Sequence, residues 1–333
     1  MSLFGSRRLR QLRDDLCTLP GHTVLQDYLQ DQIVFSLRRA VLVTLHRKWS
    51  ENSPYRLTEL GVTTFDRASS GQNQLLTPGP HAENILRQIW SFRLVIRSTA
   101  HLDASMHSSP FHFGTTLYAS QEEALDLLHQ IWHQPMSARN AKAGFRPIIY
   151  MSFGDNDALS KTRRSTFDFD PSSLNTTVAT LNAQFIPQKC KITRHANASL
   201  TYLLSQFKVP TFHTENSGNA AMYATVVAVL SALRVELYQA DNNAVAKPAQ
   251  TSQSSSKSAE EVLQGLMDWP TPAPPFGLLV YCCRCGSTEH ASGQCTSWYL
   301  SCKICEGALQ HWRRENAGTH TEGMCSFGWE LDC

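Results

Sequence analysis

The sequence predicts a mixed α/β domain, its sheet flanked by helices, followed by a small zinc-binding module at the C-terminal end. Three observations carry this. Up to about Tyr238, short apolar runs alternate with stretches of helical periodicity, the pattern of a layered α/β unit. A Ser-, Gln- and Ala-rich stretch, roughly 240–258, then interrupts the pattern with almost no large apolar residue. Eight of the ten cysteines fall between Cys282 and Cys333, interleaved with histidines. The organisation read from these breaks is a basic, amphipathic helical segment at 1–35 and the α/β domain at 36–239. A Ser/Gln- and Pro-rich linker with a short helix follows at 240–275, then the Cys-rich region at 276–333.

At the N-terminal end Arg7, Arg8, Arg10 and Arg13 sit beside Leu9, Leu12 and Leu16. No apolar core of a secretory signal follows the charges, and Asp14 and Asp15 disfavour a mitochondrial presequence. Strands are predicted at residues 40–45, 57–65, 92–96 and 147–152, and helices at 121–132, 200–207 and 219–237. The last helix holds the longest apolar stretch, roughly 220–233, which is too short to span a bilayer and contains Ser231. It reads as a buried helix. Ser258-Ala-Glu-Glu261 is a capping box that starts a short helix through Met267. Trp269-Pro-Thr-Pro-Ala-Pro-Pro275 then ends that helix as an extended strap.

The net charge of +2 supplies no global basic field, so any nucleic-acid contact has to come from local patches. Cysteines clustered at C-x-x-C spacing, with only Cys17 and Cys190 standing alone upstream, fit metal binding in a reducing compartment. The expectation is an intracellular protein of nucleus or cytoplasm, with no membrane partner.

The metal ligands follow from spacing. Cys282, Cys285, His290 and Cys295 give C-x2-C-x4-H-x4-C. Two thiolates three residues apart grip one ion from a tight turn, Gly286 lets the backbone turn back, and the His and last Cys close a tetrahedron. This spacing resembles the zinc knuckle of nucleic-acid-binding proteins. Two positions depart from that pattern: Glu289 stands where a Gly usually precedes the His, and Cys283 where an aromatic often stacks on a base. A second set, Cys302, Cys305, His320 and Cys325, repeats the C-x-x-C and H-x4-C halves around a longer gap, with His311 a rival to His320. Two separate zinc ions are the preferred reading. The alternative joins Cys282, Cys285, Cys302 and Cys305 into one zinc ribbon. A segment this short cannot build an adequate core without metal. Its own charge is mildly acidic, which leaves nucleic acid and protein both open as its partner.

In the large domain, Phe212-His-Thr-Glu-Asn-Ser-Gly-Asn-Ala-Ala-Met-Tyr223 precedes the last helix, and Leu200-Thr-Tyr-Leu-Leu-Ser-Gln-Phe-Lys-Val-Pro210 lies upstream of it. Arg146-Pro-Ile-Ile-Tyr-Met-Ser-Phe-Gly-Asp-Asn-Asp-Ala-Leu159, Phe111-His-Phe-Gly114 and Leu57-Thr-Glu-Leu-Gly61 come earlier still. In this order the segments resemble motifs of a fungal branch of DEDD-type 3′–5′ exonucleases, over roughly residues 41–233. The resemblance implies a ribonuclease H-like fold. It also implies two-metal chemistry, with carboxylates holding two ions about 4 Å apart and a His or Tyr activating water. Position by position, the first strand's Asp and Glu fall on Thr44 and His46, the second motif's Asp on Ala158, the third motif's His on Glu215 and its Asp on Ala220. Every expected metal ligand and the general base have changed, so bound magnesium or manganese is not expected. Asp155, Asp157 and Glu215 are the nearby acids that could stand in after a shift.

Gly218 reads as holding a backbone conformation that a side chain would hinder, Asn216 and Asn219 as partners of turn amides, and Tyr223, Val226, Val227 and Leu230 as core. His112, His195 and His213 read as non-catalytic, and Arg93 and Arg97 as a solvated face. The resulting expectation is a non-catalytic exonuclease-like protein that binds nucleic acid, single-stranded RNA or DNA, or scaffolds. An active nuclease using displaced carboxylates and a protein-interaction adaptor docking through the tail are the alternatives.

Overall fold

The computed structural model describes residues 3–30, 35–52, 55–67, 77–103, 109–137, 139–140, 143–154, 167–238 and 257–328. Six strands form one mixed sheet: β1 (Val41–Trp49), β2 (Leu57–Asp66), β3 (Trp90–Ile96), β4 (Thr115–Ala119), β5 (Ile148–Ser152) and β6 (Thr177–Asn182). Their order is β4-β3-β2-β1-β5-β6. The β1–β2 and β2–β3 pairs are antiparallel, whereas β1–β5, β3–β4 and β5–β6 are parallel. The four predicted strands are present with shifted ends. The two missed, β4 and β6, lie at the sheet's two edges. There a short strand such as Thr115–Ala119, half-buried in places, shows no continuous apolar run.

Up to the Cys-rich module the described α-helices in chain order are α1 (Leu3–Cys17), α2 (Gly21–Gln30), α3 (Glu83–Leu86), α4 (Gln121–Trp132), α5 (Ile186–Lys189), α6 (Leu200–Gln206), α7 (Ser217–Ala232), α8 (Arg234–Tyr238) and α9 (Ala259–Met267). β1 is apolar on both faces because both are covered. Val41, Val43 and Leu45 pack in one core layer with Leu128, Ile131 and Trp132 of α4. Leu42 faces the other layer, built around α7. All sixteen residues of α7 are buried, as expected of a helix apolar on every side. The stretch predicted as one helix over 219–237 is α7 and α8. α7 starts earlier because the Asn216 side chain accepts from the amides of Gly218 and Asn219.

The helix start at Ser258 carries the predicted capping box, with Ser258 and Glu261 satisfying each other's amides. Ala259, Leu263 and Leu266 of α9 belong to the same core layer as α7. The Pro-rich strap that follows is tied down along β3. The Thr271 hydroxyl accepts from Ser91 N–H at 2.9 Å and donates to Ser91 C=O at 2.5 Å. Trp90 Nε1 donates to the Pro272 carbonyl at 2.8 Å. Leu278 then exchanges two backbone hydrogen bonds of 2.8 Å with Tyr118 of β4. The chain is thus delivered along the sheet's edge to the Cys-rich module. At the other end, Leu9, Leu12 and Leu16 of α1 are buried. Arg13 donates to the carbonyls of Thr177 and Leu174, so the basic segment docks on β6. Among the described residues no helix is long and apolar enough to cross a membrane.

Candidate metal centres and the sheet cleft

The two Cys/His sets come together separately. The ligand atoms of Cys282, Cys285, His290 and Cys295 all lie within 4.8 Å of one another, and so do those of Cys302, Cys305, His320 and Cys325. In each, histidine Nε2 faces sulfur: His290 to Cys285 at 3.4 Å, and His320 to Cys305 at 3.7 Å. Three thiols and an imidazole are a donor set that suits zinc. The turn that grips each pair is built by local hydrogen bonds. Gly286 N–H returns to the Cys282 carbonyl at 2.7 Å with φ at +79°, a conformation that favours glycine. His311 stays outside: its side chain is 76 % exposed and pairs with Glu315 at 3.3 Å. His320 is buried, and its Nδ1 lies 3.1 Å from the Thr319 hydroxyl, the outer contact that orients a ligating ring. Burial pushes the Cys305 thiol up to about 12, with Cys325 and Cys302 adding to it, so without a cation it stays a neutral thiol and a bound ion is what would convert it to a thiolate.

Both clusters sit against the large domain. Cys283, the position where a knuckle offers an aromatic, is buried against Val95 and Ala100. The His320 ring lies 4.0 Å from the ring of His101, in the 3₁₀ turn Arg97–Asp103. Phe327 packs between the guanidinium groups of Arg313, at 4.1 Å, and Arg56, at 5.1 Å. Thr321 N–H donates to the Arg284 carbonyl at 3.2 Å and joins one cluster to the other. Spacing alone gave no sign of this docking. Among the large apolar side chains it leaves outside are Trp298 and Tyr299, 98 % and 94 % exposed, in the segment between the clusters, and Leu309.

On the α7 face of the sheet, four of the five positions matched to two-metal ligands or base are described. Ala158, with Asp155 and Asp157, lies outside the described residues. Thr44 is buried, its hydroxyl 2.7 Å from that of Thr225, which is also 2.8 Å from that of Thr63. Thr225 donates its only hydroxyl proton to the Ala221 carbonyl at 2.9 Å, so Thr44 and Thr63 are the donors to its oxygen. Ala220 is buried in the first turns of α7. Glu215 is exposed. It accepts from the Ser109 hydroxyl at 2.6 Å and sits 3.1 Å from His213 Nδ1. Burial works to raise its pKa, but the Ser109, backbone and His213 hydrogen bonds outweigh this and hold it below the ordinary value.

His46 is partly buried, and its Nδ1 has no hydrogen-bond partner among the described residues. Burial pushes its pKa down to about 4; the Glu59 carboxylate opposes this, and Lys48 and Arg47 reinforce it. The ordinary value is 6.5, so between these limits the unfolded chain binds the extra proton. The stability that follows is present above 6.5 and is lost as the pH falls towards about 4. Urea midpoints are expected to fall through that window, and His46→Gln to flatten the profile. An unchanged slope in the variant would contradict the assignment.

A pair that sequence reading missed organises the start of α7. Arg93, expected on a solvated face, is 1 % exposed. It donates to Glu59 through Nε at 3.0 Å and Nη2 at 2.6 Å. Glu59 is itself fully buried and also accepts from Ser217 N–H at 3.2 Å. Each of two neighbouring apolar strands carries one of the two opposite charges in its interior, a signal that pairs them only once the strands are aligned. In the β2–β3 register Gly61 faces Arg93, so Glu59 is its diagonal neighbour. Arg97 keeps to the surface, paired with Glu123 at 3.0 Å. Helix and strand approach closely here, since a Cβ at Gly61 would lie 1.8 Å from the Ser217 carbonyl oxygen. Gly218 is required for space, not for its dihedral angle, because a Cβ there would meet the Phe111 ring at 2.8 Å and Arg93 Cβ at 2.9 Å. Asn219 serves the turn as read, accepting from His112 N–H and donating to the carbonyls of Pro110 and His213.

Residues 41–232, more than half of the chain, match the family model described as DNA polymerase III subunit epsilon-like, C-terminal domain. The match begins at the first residue of β1 and ends at the last of α7. It covers the six strands and α3 to α7, but not α1, α2, α8, α9 or the Cys-rich module. No curated protein matches the chain.

Proposed function

The chain belongs to the DNA polymerase III subunit epsilon-like family, and we propose that its exonuclease-like domain is catalytically silent. On this reading it serves as a nucleic-acid-binding or scaffolding module, and its tail is held by two zinc ions. One observation carries the reading: the described positions matched to two-metal ligands and base offer a hydroxyl engaged with Thr225, an imidazole that burial keeps neutral, a methyl group and one exposed carboxylate. Magnesium and manganese want several oxygen ligands converging on a pair of sites, and this set does not fit them. The zinc sets do fit, and Cys282, Cys285, His290, Cys295 and Cys302, Cys305, His320, Cys325 are the ligands assigned to the two ions. A nucleic-acid role is supported by Trp298 and Tyr299, whose exposed rings are the kind of surface on which unpaired bases stack.

The test is incubation of the zinc-loaded full chain with end-labelled single-stranded RNA and DNA in magnesium or manganese. No degradation is expected, together with salt-dependent retention of the strand that weakens in Trp298→Ala/Tyr299→Ala. Robust degradation that is lost on Asp157→Asn or Glu215→Gln would overturn the silent reading in favour of displaced carboxylates. Absence of strand binding at low salt would leave scaffolding alone.

A further inference from the structure

We propose that the cleft between α7, α9 and the start of β3 binds a nucleotide, a planar base carrying a phosphate, either free or at the end of a strand. The cleft holds about 490 Å³, within the range of small-molecule sites. Leu86, Phe113, Met222 and Leu266 make its apolar floor. Ser91 lines it as well, and is 1 % exposed. Its backbone N–H and C=O are both taken by Thr271, but its own hydroxyl is buried with no partner among the described residues. A buried hydroxyl left unpaired is unfavourable, and a base edge or a sugar hydroxyl would satisfy it.

Charge and ring chemistry narrow the ligand. Arg87 and Lys257 line the cleft, and among the described residues no Asp or Glu does. Two cations with no described carboxylate beside them select an anion, and a guanidinium offers the forked donors that phosphate takes. Trp269 also lines it and is 84 % exposed, an unusual cost for an indole that no described residue covers. A base stacked on Trp269, its phosphate between Arg87 and Lys257 and a polar edge on Ser91, uses every one of these groups. An aliphatic anion leaves the indole face and the Ser91 hydroxyl idle. Thr44, His46, Glu215 and Ala220 do not line this cleft, so it is a place separate from the centre discussed above.

The experiment is calorimetric titration of the zinc-loaded full chain with adenosine 5′-monophosphate and with adenosine. A parallel competition uses a short fluorescein-labelled oligothymidylate. One monophosphate per chain is expected, with adenosine weaker by roughly tenfold or more. Trp269→Ala and Arg87→Ala should each weaken binding by about tenfold, with Trp269→Phe largely restoring it. Both residues are exposed, so unchanged thermal melts will show that the variants are folded. Failure of the monophosphate to bind at millimolar concentration, or equal affinity in both variants, overturns the proposal. Displacement of the labelled strand by the monophosphate places a strand end in the cleft, and binding without displacement places a free nucleotide there; either supports it. Loss of strand binding in Trp298→Ala/Tyr299→Ala with the monophosphate still bound separates this site from the tail.

Discussion

Purified in zinc, the full chain is expected to carry two zinc ions, and Cys305→Ser to carry one. The reason is that the two donor sets are complete in themselves, each gathering three sulfurs and one imidazole nitrogen within 4.8 Å. A ribbon joining Cys282, Cys285, Cys302 and Cys305 predicts a single ion and indifference to His290→Ala and His320→Ala. The effect on structure should be large. Structural zinc contributes on the order of 10–16 kcal/mol of apparent binding free energy at neutral pH, which in a module without its own core is folding free energy. The second cluster's buried core is Cys302, Cys305, Ala317, Cys325 and Phe327, and three of those five are proposed ligands. Without the ion nothing of comparable strength holds them. Because the His320 ring packs against that of His101, the loss reaches the large domain and uncovers its 3₁₀ turn. Metal analysis and limited proteolysis read the two consequences independently. One ion in the wild type, or two in Cys305→Ser, sinks the two-site assignment.

What sequence made legible here was local. The C-x-x-C and H-x4-C spacings, the Ser258–Glu261 capping box, the buried stretch of α7 and the amide-binding asparagines are each set within a few residues of chain; the structure gathers the Cys/His sets into two clusters and holds the capping box as expected, while α7 is buried but begins and ends earlier. Contacts set by tertiary register were not legible. Edge strands β4 and β6 take their partners from β3 and β5, not from their own sequence. The Pro-rich strap looks unstructured until Thr271 finds the Ser91 backbone. Cys283 looks like a lost aromatic until Val95 and Ala100 cover it. Arg93 was the largest misreading. A lone arginine in a strand gives no sign of its carboxylate partner unless both strands are aligned first, since the two are 34 residues apart in sequence.

That arginine carries the second large effect. Arg93→Ala is expected to destabilise the fold by about 3–5 kcal/mol, because it strands the Glu59 carboxylate in the interior. Glu59 is fully buried, and its next cation, Lys48 Nζ, is 3.6 Å away, too far to replace two bonds of 2.6 and 3.0 Å. Arg93→Lys keeps the charge but not the fork, so it should recover only part of the loss. Joint replacement of Glu59 and Arg93 by Leu and Met removes both charges, and should cost less than Arg93→Ala alone. That ordering separates an ion-pair effect from simple loss of packing, in which the double variant would be the worst of the three. Urea titration with a fixed m-value is the measurement. A loss in Arg93→Ala below about 1 kcal/mol would show that the pair does not anchor the fold. The pair also fixes the start of α7. Glu59 accepts the Ser217 amide, and Arg93 donates to the Ser109 carbonyl at 3.3 Å, from the residue whose hydroxyl holds Glu215. The first turn of α7, with Glu215 before it and Ala220 on it, is thus set in place by a buried salt bridge reaching across β2 and β3.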